Sequence, residues 1–119
     1  MTAPRLLEIR LKTAERALNI TFDDGAAFLL PAEYLRVESP SAEVQGHSPT
    51  QKKTVPGCRN VGIRELEQIG HYAIRIHFDD GHDTGIYSWS YLYELGVEQD
   101  ARWPAYLAAL EAQSLSRDP

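Results

Sequence analysis

The side chains with most chemical potential crowd into "HFDDGHDTGIYSW", His77 to Trp89, where three aspartates and two histidines surround Gly81. Imidazole beside carboxylate can hold a metal or move a proton. Zinc asks for about four thiolate or imidazole ligands at short spacing. The chain offers one cysteine, Cys58, and four histidines, His47, His71, His77 and His82, with no pair at C-x2-C or H-x3-H spacing. A site assembled from His47, Cys58 and His82 forms only if a long central segment folds back over the second hairpin; the wider metal-binding alternative uses His82 with His47, Asp83 or Cys58. The alternative is that each histidine makes an ordinary hydrogen bond or faces water. An iron site of the two-histidine, one-carboxylate kind is not expected, because His82 and Asp83 are neighbours and point apart in a strand. Asp79-Asp80 and Asp23-Asp24 could share acid–base work. Each pair precedes a glycine between apolar runs, where aspartate serves a turn by bonding nearby backbone N–H groups. Cys58 stands beside Arg59, which could lower its pKa. No nucleophile elbow, phosphate loop or dinucleotide fingerprint is present.

The elements that must carry these groups follow from period. Leu6–Leu11 and Ala17–Phe22 alternate apolar and polar residues, as strands with one buried face do. Asp23-Asp24-Gly25 then reads as a hairpin turn, with Ala26–Leu30 as the return strand. Pro31 suits the first turn of a short helix, "PAEYLRV". Leu66–Gly70 leads into a second strong strand, Tyr72–Phe78, with Tyr72, Ile74, Ile76 and Phe78 on one face. "FDDG" recurs at Phe78–Gly81. Both copies run strand, turn, strand, then a Tyr-Leu pair on a helix, which fits either a reused unit or a common taste for Asp-Gly turns. Ser88 can cap a helix that Gly96 ends. A last helix spans about 101–114, with Asp100 as its cap and Trp103, Tyr106, Leu107 and Leu110 as its apolar stripe. The tail "SLSRDP" is expected to fray. The stretch Glu38–Val61, rich in proline and glycine, shows no period, and such long irregular segments are often functional.

Length and composition bound the rest. The 119 residues suit a single domain, 1–119, able to build a core without disulfides or metals. With 43% apolar and 24% charged residues the chain has ordinary globular composition. Its net charge of −5 argues against a broad nucleic-acid face. Lys52, Lys53, Arg59 and Arg64 form a local basic cluster that could meet an anion or simply solvate the loop. The start "MTAPRLLEIRLK" lacks an apolar signal run, and nothing approaches a membrane span. One cysteine fits a reducing compartment, so a cytoplasmic protein without a membrane anchor is expected.

Two strings, "LRVESPSAEVQGH" and "YAIRIHFDDGHDTGIYSWSYL", resemble the DUF971 group of small bacterial proteins. That group is similar to the N-terminal domain of gamma-butyrobetaine hydroxylase. The resemblance spans about 6–96 and leaves out the last helix. It implies an α+β domain of antiparallel, hairpin-built sheet with two or three helices. It also implies a structural zinc held by a C-x-C-x2-C cluster and a later histidine. Those positions fall here on Ser39, Ser41, Val44 and His82. Only the histidine is a zinc ligand, so the site is expected to be lost and no cofactor, zinc or iron, is required. The resemblance further implies no hydroxylase activity without a catalytic barrel. Related domains attached to iron–sulfur carrier ATPases suggest a role near metal-cofactor or iron–sulfur metabolism. The expected function is a non-catalytic interaction domain with a protein partner, its contact surface formed by residues 39–59 and the second hairpin. The residues expected to carry binding are Glu43, Gln45, His47, His82, Asp83 and Trp89, with His47 near His82. A metal-binding role for His82 is the alternative.

Overall fold

The computed structural model describes residues 4–119. Strands β1 (Leu6–Lys12), β2 (Ala17–Phe22) and β3 (Ala27–Pro31) form one antiparallel sheet in that order. Strands β4 (Ile63–Ile69), β5 (Ala73–Phe78) and β6 (Ile86–Ser88) form a second, again in chain order. The central strands obey the period-2 rule: Leu18, Ile20 and Phe22 are buried on β2, and Ile74, Ile76 and Phe78 on β5. Tyr72 does not share that face. It lies in the turn before β5 and is 77% exposed. Strand β4 starts at Ile63, three residues before the segment that its sequence suggested.

The two "FDDG" copies are the same turn. Phe22 N–H donates to the Ala26 carbonyl at 2.9 Å, and Phe78 N–H to that of His82 at 3.1 Å. Gly25 and Gly81 sit at φ +89° and +91°, where a Cβ is strained. Asp24 Oδ1 accepts from Ala26 N–H as Asp80 Oδ1 accepts from His82 N–H. Even the register shift in the opening strand recurs, at Leu6/Glu8 and at Ile63/Glu65. The echo in the sequence is therefore a reused strand–turn–strand–helix unit.

The two units hold each other crosswise. Helix α1 (Ala32–Val37) follows β3, and α3 (Trp89–Ala112) follows β6. Tyr34 OH on α1 donates to the Leu95 carbonyl at 2.7 Å, and Tyr91 OH on α3 donates to the Glu38 carbonyl at 2.5 Å. Each acceptor lies four residues beyond the other tyrosine. The turns are exchanged too: Tyr93 OH donates to Asp24 Oδ2, and Arg36 Nε to Asp80 Oδ2. One apolar core runs through both units, from Leu18, Ile20 and Phe22 to Ile74, Ile76 and Phe78, with Leu35, Leu92 and Leu95 between.

Four expectations are corrected. Gly96 does not stop a helix, and Asp100 does not start one; α3 runs unbroken for 24 residues. Gly96 is needed because a Cβ there would overlap the Phe28 ring, so the glycine permits close packing instead of a helix stop. Pro104 lies within α3 on its exposed side, and Leu107, 38% exposed, falls off the stripe that Tyr106 and Leu110 bury. The central segment is not without structure: it holds α2 (Ala42–Gln45) and a 3-10 turn at Pro49–Gln51. The tail is not frayed. Gly57 N–H and Arg59 N–H donate to the carbonyls of Ser116 and Arg117, at 2.9 and 3.0 Å. Arg117 makes a two-pronged contact with the buried Glu33 carboxylate, at 2.6 and 2.8 Å, and its guanidinium lies over Trp103. Among the described residues no helix is long and apolar enough to cross a membrane.

Candidate functional site

The turn at Asp80-Gly81 ends β5 and drives His82 inward, to 7% exposure. From the other unit, α1 ends at Val37 and the chain turns through Glu38, Ser39 and Ser41 into α2, where the Ser41 side chain accepts from the Glu43 N–H. These two segments meet. Ser39 Oγ lies 2.9 Å from His82 Nε2, and Glu43 Oε2 lies 3.1 Å from His82 Nδ1. A carboxylate only accepts, so Nδ1 carries the hydrogen and donates to Glu43. Nε2 then accepts from the Ser39 hydroxyl. Ser41 Oγ pairs with Thr84 Oγ1 at 2.7 Å, and Gln45 Nε2 donates to the Ser39 carbonyl at 2.8 Å. Three hydrogen bonds thus fasten the central segment onto the loop after the second hairpin turn, and a fourth braces it internally.

Hydroxyl, imidazole and carboxylate in this order are the parts of an acyl-transfer triad. The nucleophile, however, is out of reach. Ser39 is 0% exposed, and Gly85 backs onto its Oγ so closely that a Cβ there would collide with it. No substrate carbonyl can approach, so the cluster acts as a clasp.

Its charge state follows from its surroundings. Burial lowers the His82 pKa from 6.5 and the Arg36 guanidinium lowers it further, against the opposing pull of Glu43 and Asp80. Burial would raise the Asp80 carboxyl, but the His82 N–H and Arg36 outweigh it and hold the carboxyl below its usual range. The unfolded chain therefore binds a proton at His82 more readily than the folded one. His82 is expected to contribute stability above pH 6.5 that is lost as pH falls from 6.5 towards the lower folded value. An NMR titration of the ring, run beside thermal melts across that interval, checks this. A His82 that titrates at 6.5 or above would contradict it.

The expected zinc residues do converge, since Ser39, Ser41 and His82 are bonded into one cluster and Val44, 2% exposed, lines the same small cavity as His82. They do not fit the ion. Two are neutral hydroxyls, one is a hydrocarbon, and both nitrogens of His82 are engaged. Among the described residues no group of three or more His, Cys, Asp or Glu is placed to hold a metal. Of the residues expected to bind, Glu43, Gln45 and His82 are brought together. His47 is exposed and lines a separate depression with Lys52 and Arg102. Asp83 faces His77, at 3.9 Å, and Trp89 donates its Nε1–H to the His71 carbonyl. Cys58 is buried, which raises its thiol pKa; Arg36 lowers it only in part, and Arg59 is paired with Asp118 instead. Lys52 is likewise spent, on the buried Glu38 carboxylate at 2.7 Å. Arg36, Asp80 and Thr84 belong to the site and were missed. The one signal for Arg36 is that its counterpart in the repeat, Tyr93, also reaches a turn aspartate.

A family model described as "Gamma-butyrobetaine hydroxylase-like, N-terminal" matches residues 9–93. Two NMR solution structures are similar over nearly the whole chain. One is 44% identical, with TM-score 0.85, covering 99% of this chain and 93% of its own. The other is 46% identical, with TM-score 0.84, covering 100% and 92%. Both therefore include α3 to its end, beyond the span that the sequence resemblance suggested. A crystal structure from Acidithiobacillus ferrooxidans, described as a protein of unknown function in the DUF971 family, is 38% identical with TM-score 0.65 over 77% of this chain and 92% of its own. Comparison with curated proteins returns no match.

Proposed function

We propose, from the premise that this chain belongs to the gamma-butyrobetaine hydroxylase-like N-terminal family, that it is a non-catalytic accessory domain that holds a protein partner. The observation that carries this reading is a contrast within residues 39–59. Their base is fastened by the Ser39–His82 and Ser41–Thr84 bonds. Their outward side chains, Glu43, His47 and Lys53, stay exposed. A segment ordered from below and charged above can present a fixed surface at little entropic cost. Among the described residues, the one nucleophile in a catalytic-looking arrangement, Ser39, is buried, which favours binding over turnover. A place in metal-cofactor or iron–sulfur metabolism, and a cytoplasmic location, are supported by the family resemblance and by the single buried cysteine.

Affinity purification from the native cell tests the reading. Wild-type protein is expected to retain a specific partner at constant stoichiometry. His47→Ala with Lys53→Glu, which alters exposed groups only, is expected to lose it while melting unchanged. Turnover of a small substrate that disappears with His82→Ala would sink the reading.

A further inference from the structure

Beside the clasp lies a cavity of about 240 Å3, lined among others by Arg36, Glu43, Lys53, Thr54 and His82. Its charges are out of balance. Arg36 spends Nε on Asp80 at 2.8 Å, but its Nη1 is buried without a hydrogen-bond partner. Unpartnered buried donors are uncommon, and on a guanidinium they point to a missing acceptor. Lys53 is exposed and, among the described residues, its ammonium is in no ion pair, unlike neighbouring Lys52. The third polar group is the His82 Nδ1–H, which is already satisfied by the carboxylate of Glu43. Glu43 is 63% exposed at its side chain and is held there by one bond at 3.1 Å. A tethered carboxylate thus lines a cavity that also holds two cationic side chains, and one donor of Arg36 remains unused.

We infer that this cavity is a binding site for a carboxylate group, which displaces Glu43 and is held by Arg36 Nη1, Lys53 Nζ and the His82 Nδ1–H. Glu43 acts as a weak internal competitor. When it swings into water it exposes the His82 donor and opens the way to Arg36. The carboxylate comes either from a free small acid or from an acidic side chain of a partner. The inference rests on the interaction reading for the face concerned, and adds the chemistry that this face recognises.

Amide and imidazole NMR shifts of the full chain, titrated at fixed ionic strength, test it. One arm uses succinate; the other uses an acidic peptide, acetyl-tetraglutamate amide. Saturable shifts at Val44, Thr54 and the His82 ring are expected. Glu43→Gln is expected to tighten binding severalfold, because the internal competitor can no longer accept as a carboxylate. Lys53→Glu is expected to abolish it, with both variants keeping the wild-type spectrum elsewhere. Equal binding of succinate assigns the site to free acids; binding of the peptide alone assigns it to a protein partner. No saturable shift in either arm, or no gain with Glu43→Gln, overturns the inference. If a partner is retained in the purification above while both arms fail, this inference alone falls. If an acid binds while no partner is retained, the interaction reading alone falls.

Discussion

Ser39→Cys, Ser41→Cys and Val44→Cys, introduced together, are expected to give a protein that takes up one zinc ion with His82. The backbone already brings the four positions together. Ser39 Oγ stands 2.9 Å from His82 Nε2. Two ligand atoms on a tetrahedral zinc stand roughly 3.5 Å apart, so the hydrogen bond need lengthen by only a few tenths of an ångström. Thiolates supply the charge that the hydroxyls and the valine lack. Structural zinc in small domains is worth about 10 kcal/mol of apparent binding, so the metal-loaded variant is expected to melt well above the wild type and to fall back on chelation. Elemental analysis of untagged protein gives the stoichiometry. His82→Ala on the three-cysteine background is expected to remove tight binding. A variant that stays metal-free, or holds zinc as tightly without His82, would show that the four positions are not arranged as a former site.

Arg117→Ala is expected to lower stability by about 2 kcal/mol in urea unfolding. Glu33 keeps only 8% of its side chain exposed, and its two oxygens are both taken by Arg117. Removing the guanidinium strands a buried carboxylate, a loss that reaches about 3–5 kcal/mol in fully buried pairs. Arg117 itself is 30% exposed, so water screens part of the interaction and the smaller figure applies. Glu33→Gln in the same chain is expected to recover part of the loss, because a neutral amide tolerates burial better. An effect within about 0.5 kcal/mol, the range of an ordinary surface change, would mean that the tail is not docked in solution.

The strands and both turns were legible because their causes are local. Period-2 alternation in "ALNITF" and "AIRIHF" and an Asp-Gly pair with positive φ need no distant partner. The misreadings share the opposite property. Gly96 carries the signature of a helix stop, and only the Phe28 ring, far off in sequence, explains why a glycine sits inside α3. The "SRDP" tail reads as polar and loose, and nothing near it announces Glu33 or the N–H groups of Gly57 and Arg59. At the site, the meeting of Ser39 with His82 followed from the family resemblance, since the spacing of serine and histidine in the chain carries no such information. His47 and His82 looked like companions because both are histidines near irregular segments. The fold assigns them to different depressions, with Lys52 beside one and Lys53 beside the other.

The exchanged contacts between the two strand–turn–strand–helix units have a thermodynamic consequence. Neither unit is self-sufficient: the acceptor for Tyr34 lies in the second unit and the acceptor for Tyr91 in the first, and each turn aspartate is held from across the divide. Detaching one unit would break all four exchanged bonds at once and expose the apolar core that both share to water. Partial opening at the boundary is therefore suppressed. Although its sequence repeats, the molecule lacks the modular, segment-by-segment melting of a solenoid, whose units touch only along one direction. Its slowest-exchanging amides should lie in β2 and β5 together and exchange at one common rate, as a single cooperative block.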